Sequence, residues 1–122
     1  MDKILIRGLR VFAFHGVNPE EKEEGQLFVV DLTACLDLRG ACNTDRLENT
    51  VSYAKIIKTV RRVLQADKND LLEFTAQRII DAVFAEYPPV QQLTVVLKKP
   101  DAPIRADFDY VAVELSRGRK QD

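Results

Sequence analysis

The sequence is poor in the residues that build metal and redox centres. Its 122 residues include one histidine, two cysteines, one methionine and no tryptophan. A histidine-rich zinc site cannot be built from this chain, because such sites need several imidazole ligands. Cys35 and Cys42 do not have the spacing of a zinc knuckle. Two cysteines without a disulfide pattern indicate free thiols in a reducing, cytoplasmic setting.

The chain also lacks a strong charge bias and any long apolar run. A net charge of −1 argues against a nucleic-acid partner, because binding to duplexes needs a basic face. No apolar run approaches the roughly 20 residues of a membrane-spanning helix. The N-terminus leads into a strand-like pattern rather than a signal peptide. With 46% hydrophobic and 30% charged residues, the chain is expected to form one domain over residues 1–122.

Common catalytic motifs are missing as well. The glycines form neither a P-loop nor a dinucleotide-binding fingerprint. A Ser-His-Asp or Cys-His arrangement would have to use His15, which follows a run of hydrophobic residues. A partly buried histidine at a strand end is the simpler interpretation of that position. The pattern therefore favours chemistry without a metal or cofactor.

Hydrophobic periodicity predicts an α+β domain. Segments in which apolar and polar residues alternate, and short continuous apolar segments, predict strands. Apolar residues that recur every three or four positions predict helices. The predicted strands are residues 3–15, 26–38, 91–99 and 107–117, and the predicted helices are 54–66 and 71–87. Residues 16–25 are predicted as a polar loop, and 39–52 as irregular or briefly helical. The order ββααββ predicts a four-stranded antiparallel sheet with both helices on one face.

Four fragments of the chain carry chemistry-bearing side chains in a recognisable order. They are Phe14-His15-Gly16-Val17 with Glu21, Thr50-Val51-Ser52-Tyr53, Leu71-Leu72-Glu73 and Leu97-Lys98-Lys99-Pro100. In this order and at these separations they resemble the dihydroneopterin aldolases, tunnelling-fold pterin enzymes of folate biosynthesis. The resemblance extends from residue 6 to residue 114, and it is specific because all four fragments are in register.

The resemblance implies a lyase. The family cleaves 7,8-dihydroneopterin by a retro-aldol reaction to 6-hydroxymethyl-7,8-dihydropterin and glycolaldehyde, and C2′ epimerisation is an expected side activity. No cofactor is implied, because the C6=N5 imine of the dihydropterin ring is itself the electron sink that other aldolases obtain from a lysine Schiff base or a metal.

The resemblance also implies which residues bind the pterin ring. The Glu73 carboxylate would accept hydrogen bonds from the ring N3–H and 2-amino group, and the backbones of Leu72 and Val51 would contact the ring. A structural alternative stays open for Glu73. Asp70 at the N-cap and Glu73 at N3 have the spacing of a capping box, in which Glu73 only binds a backbone N–H.

Three further residues match the family's reacting site. Lys99 resembles its catalytic lysine, Tyr53 its active-site tyrosine, and Glu21 an acidic loop residue that contacts substrate hydroxyls or a water. Because neighbours in a strand point to opposite faces, only one of Lys98 and Lys99 can enter the pocket. From the residues alone, Lys99 is a strand-end lysine, Tyr53 a core aromatic and Glu21 one of four solvated glutamates.

The resemblance implies an assembly and leaves two other functions open. Four chains would join their sheets into a barrel-like ring, two rings would form an octamer, and Tyr53 would enter the site of a neighbouring chain. The alternatives are a dihydroneopterin triphosphate epimerase, against which the acidic loop 20–24 argues, and a non-catalytic pterin-binding module. Phe74 departs from the family, where histidine is common.

Overall fold

Four strands form one antiparallel sheet in the order β1-β2-β3-β4 in the computed structural model, which describes residues 1–119. The strands are β1 (Asp2–Ala13), β2 (Gln26–Leu36), β3 (Gln92–Lys99) and β4 (Val111–Gly118). The helices are α1 (Pro19–Glu24), α2 (Arg39–Thr44), α3 (Tyr53–Ala66) and α4 (Leu72–Glu86). The predicted α+β fold is confirmed, with α3 and α4 as its two main helices. The last three residues of the predicted domain 1–122 lie outside the described part.

Strand β2 shows most clearly why the sheet has one buried face. Its residues alternate between buried and half-buried along its whole length, as its period-2 sequence predicts. The alternate residues Phe28, Val30 and Leu32 are at most 1% exposed. Because β2 lies inside the sheet and pairs with both β1 and β3, this buried row forms the centre of the core.

Helices α3 and α4 cover the same face of the sheet. Their core-facing side chains recur every three or four residues, which is the spacing of one helix face. They are Ile56, Thr59, Val60 and Leu64 of α3, and Thr75, Ala76, Ile79, Ile80 and Val83 of α4. Thr59 Oγ1 lies 2.8 Å from the hydroxyl of Tyr87, which follows the end of α4. Among residues 1–119, no helix combines the length and apolar character that a bilayer-spanning segment requires.

The predicted loop over residues 16–25 is wrong in its middle, where α1 forms. Pro19 occupies the first turn, where its missing N–H costs nothing, and the Asn18 backbone N–H donates to Glu21 Oε1 at 3.3 Å. Gly25 ends the helix at φ 72°. A Cβ at Gly25 would lie within 2.8 Å of the Phe12 and Phe14 rings, so the turn into β2 requires glycine here.

Helix α4 begins one residue later than the capping-box alternative requires. Leu71 occupies the N-cap position, and no side chain caps the helix. The Asp70 carboxylate instead forms an ion pair with Lys22 of α1. Glu73 is therefore the second residue of the helix rather than the third, and the capping-box assignment of Asp70 and Glu73 is wrong.

The other face of the sheet is open and carries cross-strand polar pairs. Lys98 Nζ lies 2.8 Å from Asp31 Oδ2, and the backbone N–H of Gly8 donates to Asp31 Oδ1 at 2.8 Å. Gly8, at φ 68°, lies in the irregularity between Ile6 and Leu9 where the β1–β2 register shifts. Lys98 is thus held on the face opposite to the helices.

Candidate active site

Lys99 and Glu21 form a buried ion pair at one end of the sheet. Lys99 is the last residue of β3, Glu21 lies in α1, and the two residues are only 9% and 8% exposed. Lys98 lies on the open face, so strand alternation separates the two lysines as the sequence predicts. A buried ammonium and carboxylate that touch are suited to exchanging a proton with a third group beside them.

Gly16 makes room for this carboxylate. A Cβ on Gly16 would lie 2.2 Å from Cδ of Glu21 and 2.3 Å from its Oε1, far inside van der Waals contact. Any side chain at position 16 would therefore displace Glu21 from Lys99. This contact explains why a glycine follows His15 in the first fragment that carries the resemblance.

Hydrogen bonds keep the Glu21 carboxylate ionised. Burial would raise the pKa of Glu21, but hydrogen bonds from Lys99, Gln26 and the Asn18 backbone together lower it below its ordinary value. The amide Nε2 of Gln26 lies 2.8 Å from Glu21 Oε2. Glu21 is thus a charged acceptor fixed by three donors, and not a solvated loop residue.

The start of α4 lies at the same end of the sheet. Leu72 and Glu73 occupy its first two positions, and no side chain caps its first-turn N–H groups. Glu73 is exposed, and within residues 1–119 it forms no side-chain hydrogen bond or ion pair. Open N–H donors beside an unengaged carboxylate can bind a flat polar ring through both its acceptors and its donors.

Several contacts tie the start of α4 to the loop that carries Glu21. The Gly16 N–H donates to Asn69 O at 2.9 Å, and Lys22 Nζ donates to Gly16 O at 2.6 Å while pairing with Asp70. Glu21, Lys99, Leu72 and Glu73 therefore belong to one local unit, which we call the lysine half-site.

His15 is the buried centre of these connections. Asn69 N–H donates to His15 Nδ1 at 3.0 Å, so the other ring nitrogen carries the proton and donates to Leu64 O at 2.7 Å. The ring is fully buried, which lowers the His15 pKa, and the positive charge of Lys99 lowers it further despite the hydrogen bond to Leu64. The predicted strand-end histidine is confirmed as buried, and it also holds the segment before α4.

We expect the stability of the protein to depend on His15 below about pH 6.5, the ordinary pKa of histidine. Because the folded-state pKa of His15 is lowered, the unfolded chain binds more protons in this range, and the free energy of unfolding rises as pH rises. Urea unfolding of the wild type and of His15→Gln at several pH values measures this slope. Since His15 is the sole histidine, the variant should lose it. Equal slopes in both proteins would contradict the assignment.

Tyr53 and Val51 lie at the opposite end of α3, and we call them the tyrosine half-site. The C-terminal end of α3 contacts the segment that leads to the lysine half-site, since Gln65 Nε2 donates to Phe12 O and Leu64 O accepts from His15. Tyr53 is twelve residues before Gln65, which is roughly 18 Å along a helix. Its side chain is 65% exposed, and the predicted core-aromatic alternative is wrong. One chain therefore does not bring the two half-sites together.

Gln26 is a site residue that the sequence reasoning missed. It is the first residue of β2, is 9% exposed, and holds Glu21 through its amide nitrogen. Its position in the strand could have indicated a role in the site, because Gln26 is a polar residue on the buried face of β2, where the other buried residues are apolar. Within residues 1–119, no three His, Cys, Asp or Glu side chains converge as a metal site would need.

Phe74, the position that departs from the resemblance, lies beside this site. It follows Glu73 in the first turn of α4 and is half exposed. The Arg78 guanidinium lies over its ring, 4.7 Å from the centroid. An aromatic ring and a cation thus occupy the surface next to Glu73.

Comparisons with known proteins show which family the chain is similar to. Residues 4–116 match the family described as FolB: Dihydroneopterin aldolase. The chain is 42% identical over 117 residues to the dihydroneopterin aldolase of Bacillus subtilis (strain 168), covering 96% of this chain and 98% of the relative. It is 40% identical over 118 residues to that of Methylorubrum extorquens, covering 97% and 91%.

A solved structure shows the same architecture. The structure of Escherichia coli dihydroneopterin aldolase in complex with neopterin superposes with a TM-score of 0.89 at 30% identity, covering 97% of this chain and 100% of that one. The match spans nearly every residue of the two chains. The chain therefore belongs to the dihydroneopterin aldolase family.

Proposed function

We propose that this protein cleaves 7,8-dihydroneopterin by a retro-aldol reaction to 6-hydroxymethyl-7,8-dihydropterin and glycolaldehyde. The observation that carries the proposal is the buried Lys99–Glu21 pair next to the uncapped start of α4. Family membership supports it further, and neopterin, which the Escherichia coli relative binds, differs from the proposed substrate only in ring oxidation.

Leu72 and Glu73 are the proposed ring-binding residues. The Glu73 carboxylate would accept hydrogen bonds from the ring N3–H and 2-amino group, and the Leu72 N–H would donate to a ring acceptor. The Glu73 carboxylate lies in the first turn of α4, next to the open N–H groups of the helix. Ring binding at this point places the trihydroxypropyl side chain toward Glu21 and Lys99.

Lys99 and Glu21 are the proposed proton-transfer groups. Loss of the 2′-hydroxyl proton allows the C1′–C2′ bond to break, and its electron pair moves into the C6=N5 imine to give an enamine. A proton returned to C1′ then completes the pterin product, and C2′ leaves as the aldehyde carbon of glycolaldehyde. The ion pair can accept the first proton through a water and donate the second, so no net proton is consumed.

Tyr53 would complete the site from a neighbouring chain. Tyr53 lies roughly 18 Å along α3 from Gln65 at the other end of the helix, which is too far for a side chain to span. Strands β1 and β4 are the two edges of the sheet, and long edges favour pairing with another chain. We therefore propose rings of four chains whose sheets join edge to edge, stacked in pairs into an octamer, with Tyr53 and Val51 facing a neighbour's lysine half-site.

A mixture of two inactive variants should recover activity if the site forms between chains. Lys99→Arg damages only the lysine half-site, and Tyr53→Phe damages only the tyrosine half-site. When the two variants are refolded together in equal amounts, about one quarter of the sites pair two intact halves. Recovery of about that fraction of wild-type turnover is expected. Each variant refolded alone is the control, and a mixture no more active than either would place the site within one chain.

The proposed reaction is tested by incubating the purified protein with 7,8-dihydroneopterin and measuring both products. Formation of equal amounts of 6-hydroxymethyl-7,8-dihydropterin and glycolaldehyde is expected. If 7,8-dihydromonapterin forms without glycolaldehyde, the protein is an epimerase, and if no product exceeds the uncatalysed background, it is a non-catalytic pterin-binding module. Neither alternative is favoured by the family to which the chain belongs.

A further inference from the structure

A cleft beside the Lys99–Glu21 pair combines apolar walls with several carboxylates. Its volume is about 600 Å³, and α1, the start of β2 and the turn after β3 form its walls. Four carboxylates line it, those of Glu20, Glu21, Glu24 and Asp101. Within residues 1–119, none of its lining residues is basic.

Three of these carboxylates have no positive partner. Glu21 is neutralised by Lys99, but Glu20, Glu24 and Asp101 form no ion pair within residues 1–119. Lys22, the basic residue of α1, is directed away from the cleft to Asp70 and Gly16 O. The cleft therefore carries a negative field that the described residues do not offset.

A buried acceptor in the same cleft also lacks a partner. Gln26 is only 9% exposed, and its Oε1 is the one buried side-chain oxygen or nitrogen in the described part of the chain without a hydrogen bond. The orientation of the Gln26 amide is fixed, because its nitrogen donates to Glu21. A flipped amide would place Oε1 against the Glu21 carboxylate. An unsatisfied acceptor in a cleft of carboxylates fits a ligand that brings hydroxyl donors.

We infer that Glu20, Glu24 and Asp101 are specificity-determining residues, which admit the uncharged trihydroxypropyl side chain of the pterin and reject its phosphate esters. This inference rests on the proposed function, because that reaction places the side chain beside Glu21 and Lys99. Hydroxyl groups donate to the carboxylates and to Gln26 Oε1, whereas a phosphate dianion offers no donors and is repelled by three unpaired negative charges.

The test compares 7,8-dihydroneopterin with its 3′-monophosphate by measuring 6-hydroxymethyl-7,8-dihydropterin, the product common to both. We expect the wild type to favour the unesterified substrate in kcat/KM. In the combined variant Glu20→Gln, Glu24→Gln, Asp101→Asn, the preference should fall about tenfold, because several weak repulsions across water add. All three residues are exposed, so the variant is expected to fold.

A control variant separates the cleft from overall charge. Glu23→Gln, Asp45→Asn, Asp109→Asn removes the same number of exposed carboxylates, none of which lines the cleft. It should keep the wild-type preference. Raising the salt concentration should weaken the preference of the wild type more than that of the cleft variant, because salt screens exposed charges.

Two results would overturn the inference while leaving the proposed function intact. One is a wild type that cleaves 7,8-dihydroneopterin and its 3′-monophosphate with equal kcat/KM. The other is an equal change of preference in the cleft and control variants. If the wild type cleaves neither compound, the proposed function itself has failed, and the inference fails with it.

Discussion

Replacing Lys99 with arginine should reduce kcat by about 10²–10⁴-fold while the protein stays folded. Arginine keeps the positive charge beside Glu21, so the buried ion pair survives. A guanidinium does not give up its proton near neutral pH, and this variant therefore loses only proton transfer. The measurement is kcat for product formation, together with the unfolding midpoint in urea. Lys99→Ala is less informative, because it leaves the Glu21 carboxylate buried without its partner.

The matched control for this experiment is Lys98→Arg. Lys98 is the preceding residue of the same strand, and its ammonium pairs with Asp31 on the open face of the sheet. The substitution makes the same chemical change outside the lysine half-site, so kcat should stay within a factor of two. A Lys99→Arg enzyme with wild-type kcat would show that Lys99 is not the proton-transfer group. The same conclusion would follow if Lys98→Arg lowered kcat as much.

The contrast between Lys98 and Lys99 was predictable because strand periodicity is local. Successive side chains of a strand point to opposite faces, so one lysine had to face the helices and the other the open side. The same rule predicted the buried row of β2. These features depend on residues that are neighbours in the sequence, and a pattern reports them directly.

Helix α1 and the start of α4 were not predictable from such patterns. Five of the six α1 residues are glutamate or lysine and one is proline, so the segment has no apolar periodicity. At α4, a capping signal suggested Asp70 as the N-cap, but the ion pair of Asp70 with Lys22 of α1 competes for that carboxylate. A contact between residues 48 positions apart decides the helix boundary.

The connections of His15 and Gln26 show the same limit within the site. The two hydrogen bonds of His15 join it to residues 49 and 54 positions away, and no local pattern encodes them. Gln26 orients Glu21 from the first position of β2, where a polar residue on the core face was the only indication of a role. The sequence therefore indicated the chemistry-bearing residues, whereas the residues that orient them became visible only in the fold.

Replacing Glu73 with alanine should weaken pterin binding about 100-fold and leave the fold almost unchanged. Two charge-assisted hydrogen bonds to the ring are lost, and a loss of about 3 kcal/mol corresponds to a roughly 100-fold weaker affinity. Because Glu73 is exposed and caps no backbone N–H, the free energy of unfolding should fall by no more than about 1 kcal/mol, the value of a carboxylate near a helix N-terminus. Titration with neopterin and urea unfolding measure the two effects on one variant.

Asp81→Ala is the control for this prediction, since Asp81 is an exposed carboxylate two turns further along the same helix. It should lower neopterin affinity less than twofold, because it lies away from the first turn. If Glu73→Ala binds neopterin as tightly as the wild type, Glu73 is not the acceptor for the ring N3–H and 2-amino group. A large loss of stability with unchanged affinity would instead restore a purely structural role. Glu73 is engaged by no other side chain in the described part of the chain, which supports its proposed role in substrate binding.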